Sequence, residues 1–386
     1  MRRVKLRVST FVAIAASSPS AVVLAAAALL MGLAGPARAG SFNVTNLVTD
    51  DQTAHTAQIA DPHLINAWGV SFGPTSPFWV SDNGTGLATL YSVNPATNVT
   101  SKVGLEVTIP GAGSVTGQAF NALGAGTFNG DAFLFVSEDG TVSGWRGALG
   151  TSAEVLAVAS PDNVYKGTAF ATVGGHGYLY SANFHSGAID VLKGDAGAPD
   201  LAANFVDPTL PSGYAPFNIA SLGGRLYVTY ALQGAGDEEV AGPGNGYVDV
   251  FDLNGNFIGR VASQGALNAP WGLAIAPASF GDLAGDLLVG NFGDGRINAY
   301  DLGTNSFVDA LSAPDGTPLA IGGLWGLVVG NGGNGGSNQS VYFTAGPDHE
   351  THGLFGILSP VPEPATLALL GLGLAGLGFM RHRRVG

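Results

Sequence analysis

Near its end the chain reads Asp348-His349-Glu350-Thr351-His352. Two imidazoles three residues apart, beside two carboxylates, are donors of the kind that ligate zinc or another divalent cation. The spacing is not that of His-Glu-x-x-His, because the second imidazole arrives one residue early. Asp348, His349, Glu350 and His352 are therefore a candidate metal set, and a solvated polar turn is the other reading. The chain has no Cys, which excludes thiolate-ligated metals, disulfides and thiol catalysis. Many Ser and Thr lie near turn signals, but nothing in the sequence singles one out as a nucleophile.

A second constellation is spread along the chain. His63, Asn66 and Asn268 each precede a short apolar run, and Asn83, Glu138, Asn183, His185 and Asn291 sit in turn-forming stretches, several beside Asp82, Asp139 or Asp294. Brought together, these amides, carboxylates and imidazoles would bind a hard cation such as calcium, or a polar ligand. Each also suits a turn for backbone reasons alone. Whether they converge depends on the elements that carry them.

Those elements repeat. Pro270-Trp-Gly-Leu-Ala-Ile, Leu287-Leu-Val-Gly-Asn and Arg296-Ile-Asn-Ala-Tyr-Asp are short strand-like runs separated by Gly, Asn and Asp turn signals. Similar triplets recur around Trp68, Gln118, Thr168, Phe217 and Trp325, so that with Trp271 the anchors are spaced by 50, 50, 49, 54 and 54 residues. A period near 40–50 residues with several strands per unit predicts a β-propeller, here all-β with six blades. The sixth unit lacks a fourth strand, and Phe42–Val48 would supply it and close the ring. A long β-sandwich or a β-solenoid is the competing architecture. In a propeller the inner strand lines the channel. The loop entering it shares a face with the turn after the second strand, so the polar residues above would gather at one channel mouth.

Composition fits this. Of 386 residues 60 are Gly, and only 11% are charged; aromatic and β-branched residues stay plentiful, so the glycine reads as tight turns rather than disorder. The chain has 15 basic and 28 acidic residues. Five of the basic ones lie before residue 40 and three after residue 380, and Glu363 is the one acid in those ends. The body therefore keeps 7 basic against 27 acidic residues, a net charge of −20. Such a surface repels nucleic acid and suits cation binding or solubility outside the cell.

The two ends specify a destination. Arg2, Arg3, Lys5 and Arg7, the apolar run Ala21–Ala34 and Ala37-Arg38-Ala39 have the form of an export signal, with cleavage expected before Gly40 by signal peptidase after passage through the Sec translocon. At the other end Val361-Pro362-Glu363-Pro364 opens a 20-residue stretch to Met380, long enough to span a bilayer as a helix. Arg381, Arg383 and Arg384 follow and would stay cytoplasmic. This tripartite end resembles the PEP-CTERM sorting signal of bacterial surface and exopolysaccharide-associated proteins. The resemblance implies processing at Pro362, Glu363 and Pro364 by an exosortase, with transient anchoring in the inner membrane and a final place in the periplasm, on the surface or outside the cell. Gly371-Leu-Gly-Leu-Ala-Gly376 matches a dinucleotide fingerprint but follows no strand and opens no βαβ unit, so it is set aside.

Three regions result: a signal peptide at 1–39, a propeller at 40–360 and the sorting signal at 361–386. The body resembles PEP-CTERM propeller-like proteins and is distantly similar to the six-bladed NHL and gluconolactonase-like group. That similarity implies fold and no activity. Two functions stay open. One is an exported module that binds a polysaccharide or envelope protein without catalysis, and the other is a metal-assisted hydrolase or lyase at the channel mouth.

Overall fold

Short alternating strands with Gly, Asn and Asp between them cannot each bury two faces alone, and they do so here by stacking as blades. The computed structural model describes residues 40–361, nearly all of one unit of the chain, Ala39–Val361. It is a six-bladed β-propeller. The strands in chain order begin with β1 (Phe42–Thr49) and β2 (Ile59–Ala60). Blade 1 is β3 (Ala67–Ser71), β4 (Phe78–Asp82), β5 (Leu87–Val93) and β6 (Thr100–Thr108). Blade 2 is β7 (Val115–Phe120), β8 (Phe133–Ser137), β9 (Val142–Trp145) and β10 (Glu154–Ala157). Blade 3 has only β11 (Tyr165–Val173), β12 (His176–Asn183) and β13 (Ala188–Lys193). Blade 4 is β14 (Tyr214–Leu222), β15 (Arg225–Leu232), β16 (Tyr247–Phe251) and β17 (Phe257–Ser263). Blade 5 is β18 (Pro270–Ile275), β19 (Leu287–Asn291), β20 (Ile297–Asp301) and β21 (Ser306–Ala310). Blade 6 is β22 (Leu324–Val329), β23 (Val341–Ala345) and β24 (Leu354–Pro360).

The expected closure is present. β1 pairs antiparallel with β24, from Phe42 opposite Pro360 to Thr49 opposite Leu354, and becomes the fourth strand of blade 6. β2 adds in parallel outside it. Blade 6 is thus built from both ends of the described chain, which joins them without an open seam.

The repeated Gly beside the anchor has a steric reason. A Cβ on Gly69 would stand 2.4 Å from Thr116 O, one on Gly117 would stand 2.5 Å from Thr168 N, and one on Gly272 would stand 2.7 Å from Trp325 O. Neighbouring inner strands approach so closely around the axis that only Gly fits between them. The core lies between blades, where faces such as Tyr178, Tyr180, Leu226, Val228 and Phe251 interdigitate.

The apolar helices expected at the two ends fall outside the described residues. Among the described residues no helix is long and apolar enough to cross a membrane.

Candidate functional site

One channel mouth carries a buried ammonium ringed by carboxylates. Lys166, the second residue of β11, is 2% exposed. It stands two residues before its anchor, as Asn66 does in the first repeat, so both side chains enter the mouth from an inner-strand start. The Lys166 Nζ donates to Glu138 Oε1 at 2.7 Å, lies 3.8 Å from Glu238 Oε2, and sits 5.5 Å from the centre of the Trp68 ring. Glu138 follows β8, Glu238 and Glu239 lie between β15 and β16, and Glu350 follows β23. The acids therefore come from the turns after the second strand of blades 2, 4 and 6.

Amides tie these acids together. Asn66 Nδ2 donates to Glu350 Oε2 at 2.7 Å and to Asn83 Oδ1 at 3.2 Å, and Asn83 Nδ2 donates to Glu138 Oε2 at 3.2 Å. Asn66 Oδ1 accepts the Trp325 indole N–H at 2.9 Å. Trp325 in turn stacks on Trp68 at 3.7 Å and on Phe292 at 4.0 Å. With Phe184, Phe217 and Trp271 these rings plug the channel at this level, and the Trp271 indole N–H donates to the Lys166 carbonyl at 3.0 Å.

The protonation states follow from burial and charge. Burial alone would lower the Lys166 pKa, but Glu138, Glu239 and Glu238 together outweigh it and hold the ammonium above its ordinary value. Burial pushes the Glu239 carboxyl up to about 7, against the pull of Lys166, and raises Glu350 despite the Asn66 hydrogen bond. Glu239 Oε2 is buried with no hydrogen-bond partner among the described residues. The mouth is an acceptor-rich site built around one fixed cation.

Glu350 reaches this site through an unusual turn. Asp348, His349 and Glu350 have φ of 55°, 58° and 65°, three successive non-glycine residues in the left-handed region, each costing about 1–2 kcal/mol. Asn66 is also left-handed, at φ 48°. Strain of this kind persists where the surroundings fix it, and it concentrates at functional sites.

The residues expected to form one mouth separate into groups. Asn66, Asn83 and Glu138 converge around Lys166, where Glu350 of the candidate metal set joins them. His185 lies beside them on the rim, where its Nδ1 meets Asp237 at 2.9 Å and so ties down the insert that carries Glu238 and Glu239. Asn268 Oδ1 anchors the same insert by accepting the Gly242 N–H at 2.6 Å. Asn183 and Asn291 serve their turns: Asn183 Nδ2 donates to Asp190 Oδ2 at 2.8 Å, and Asn291 Nδ2 donates to the Ala266 carbonyl at 2.8 Å. His63 belongs to blade 1, with its Nδ1 2.9 Å from Glu106 Oε1. Asp61, His63 and Glu106 present ligand atoms within 4.8 Å of one another. The Lys102 ammonium stands in that group, 2.7 Å from Asp61 Oδ1, and also bonds Glu106.

The candidate metal set diverges. Asp348 Oδ2 pairs with His55 Nε2 at 2.9 Å, His352 Nδ1 with Asp50 Oδ2 at 2.8 Å, and Glu350 turns into the mouth. Asp348 and His352 thus fasten the left-handed turn to the loop after β1, and His349 lies on the turn between them. Lys166, Glu238 and Glu239 escaped the sequence reading. Their signals were a lone Lys opening an apolar inner strand and an acid pair inside a run of small residues.

Residues 360–384 match the PEP-CTERM protein-sorting motif. The chain ends in an export and membrane-anchored sorting signal, and most of that match lies outside the described residues. The propeller is similar to a glucose dehydrogenase crystal structure at TM-score 0.50 and 12% identity, covering 83% of this chain and 100% of that one; at such identity the likeness is one of fold. One uncharacterized protein of Acanthamoeba polyphaga mimivirus is 32% identical over 348 residues, covering 83% of this chain and 81% of its own length. A second from the same virus is 31% identical over 350 residues, covering 84% and 87%. At that identity and coverage, the chain belongs to the same protein family as these two mimivirus proteins.

Proposed function

We propose that the chain is an exported, exosortase-processed propeller that acts as a binding module at the cell envelope, with the acidic mouth around Lys166 as its ligand face. The observation that carries this reading is the Lys166 ammonium held by acids from three alternate blades. Four carboxylates around one cation leave acceptor oxygens for a cationic or hydroxyl-bearing group of an envelope protein or polysaccharide. The sorting motif supports the destination. The signal at 1–39 would be removed after Ala37-Arg38-Ala39, and exosortase would act at Pro362-Glu363-Pro364 while the apolar stretch and Arg381, Arg383 and Arg384 hold the chain in the inner membrane. The NHL and gluconolactonase-like likeness belongs to the same proposal as a statement about ancestry of the fold. A metal-assisted hydrolase or lyase at this mouth would first require the carboxylates to release Lys166, so binding is the simpler use of the site.

Two experiments separate the parts. Replacing Pro362-Glu363-Pro364 by three Ala should leave the full-length form in the inner membrane, and normal release of the variant would remove exosortase from the account. The double variant E138Q/E350Q should bind envelope fractions from cells lacking the protein at least tenfold more weakly than the parent. Unchanged binding would move the ligand face away from the mouth.

A further inference from the structure

Blade 3 stops one strand short. Every other blade carries at least four strands, whereas β13 is the outermost strand of its sheet. β13 pairs with β12 through all six of its residues, from Ala188 opposite Asn183 to Lys193 opposite Tyr178. Its other edge therefore offers backbone N–H and C=O groups at alternate residues.

The chain that follows does not fill the place. Residues 199–205 run past β13 as a strap, but their backbone is committed elsewhere. Ala203 N donates to Asn254 O at 3.0 Å and Phe205 N to Gly255 O at 3.1 Å, both in the turn of blade 4. Among the described residues no backbone hydrogen bond joins the strap to β13. Between them lies a groove of about 350 Å³, lined by the successive residues Ala188, Ile189, Asp190 and Val191 and by Leu201 and Ala203 of the strap. Successive residues of both orientations line it, which places it along β13, and Tyr178 of β12 lines it as well.

We propose that this groove receives an extended basic peptide segment of an envelope partner, which adds to β13 as the missing fourth strand of blade 3. Strand addition takes its affinity from main-chain hydrogen bonds and its selectivity from alternate side chains. Six residues of β13 span about 20 Å, enough to pair with a five- or six-residue segment. Ile189, Val191 and Leu201 give the apolar wall. Charge selects the partner: Asp190 and Asp200 line the groove with Lys193, whose Nζ is already held by Asp200 at 2.6 Å, on a body of net charge −20.

The test uses the full chain and three synthetic hexapeptides: alternating Val and Lys, the same with Glu for Lys, and the Val-Lys peptide N-methylated at every second residue. Binding is read by fluorescence anisotropy and by amide shifts of residues 188–193. The Val-Lys peptide should bind and shift those amides, and the Glu and N-methylated peptides should bind at least tenfold more weakly. Asp200→Lys, an exposed change, should weaken the Val-Lys peptide several-fold. Binding indifferent to N-methylation, or shifts confined to other residues, would overturn the proposal. So would concentration-dependent self-association of the chain through β13, which would make a second copy the occupant.

Discussion

Trp325 donates its indole N–H to Asn66 Oδ1 at 2.9 Å, across 259 residues of sequence. The bond joins the inner strand of blade 6 to the loop entering blade 1, and through Asn66 Nδ2 it extends to Glu350. Asn66→Ala would leave the buried Trp325 indole N–H without its acceptor, at about 1–3 kcal/mol, and the half-buried Glu350 carboxylate without its donor. The variant should melt several degrees lower. A melt within one degree of the parent would show that water replaces the amide.

Close approach of inner strands makes a second expectation. A Cβ on Gly272 would fall 2.7 Å from Trp325 O and 2.8 Å from Leu327 Cγ, whereas Gly259 faces open space at an ordinary φ. Gly272→Ala should destabilise by about 1–3 kcal/mol through overpacking, and Gly259→Ala should be neutral or slightly stabilising. Denaturant midpoints of the two variants decide the matter, and equal midpoints would mean that the blades slide apart freely.

The same glycines explain why so much of the fold was legible. The Gly beside five of the six anchors, following Trp in three of them, is dictated by the packing of one blade on the next, so the period appears in the sequence. The closing role of Phe42–Val48 was legible for a related reason, since a sixth unit lacking one strand needs a donor. The site was less so. Asn66, Asn83 and Glu138 were visible because they recur at turn positions, while Lys166 was not, because an ammonium on a buried strand makes sense only once acids from three other turns are placed around it. His352 with Asp50 and Asp348 with His55 are long-range pairs that drew the apparent metal set apart, and no local spacing encodes them. The missing strand of blade 3 was hidden because Asp195–Gly213 is long enough to contain one.

Removing the mouth's cation should be costly. Lys166→Met keeps the stem's volume and takes away the charge that offsets Glu138, Glu238 and Glu239, and breaking a buried pair from one side costs about 3–5 kcal/mol. The loss should be larger at pH 8 than at pH 5, because at the lower pH Glu239 carries its own proton. Stability curves at the two pH values check this. A pH-independent loss would mean that the ammonium's packing against Trp68 matters more than its charge.

Glu239 itself supplies the last expectation, and its sign is fixed. Its folded pKa is raised to about 7 from an ordinary 4.5, so the folded state binds its proton more tightly than the unfolded state does. The stabilisation is fully present below pH 4.5 and is lost as pH climbs through 7. Above that, an ionised Glu239 faces Glu238 and Glu350 with Lys166 as the shared counter-charge. Glu239→Gln cannot titrate, so its melting temperature should fall less than the parent's between pH 5 and pH 8. The two curves should converge toward acid and separate toward base, where the neutral amide becomes the more stable form. Parallel curves would place the titrating group elsewhere in the mouth, with Glu350, whose burial also raises it, the residue to substitute next.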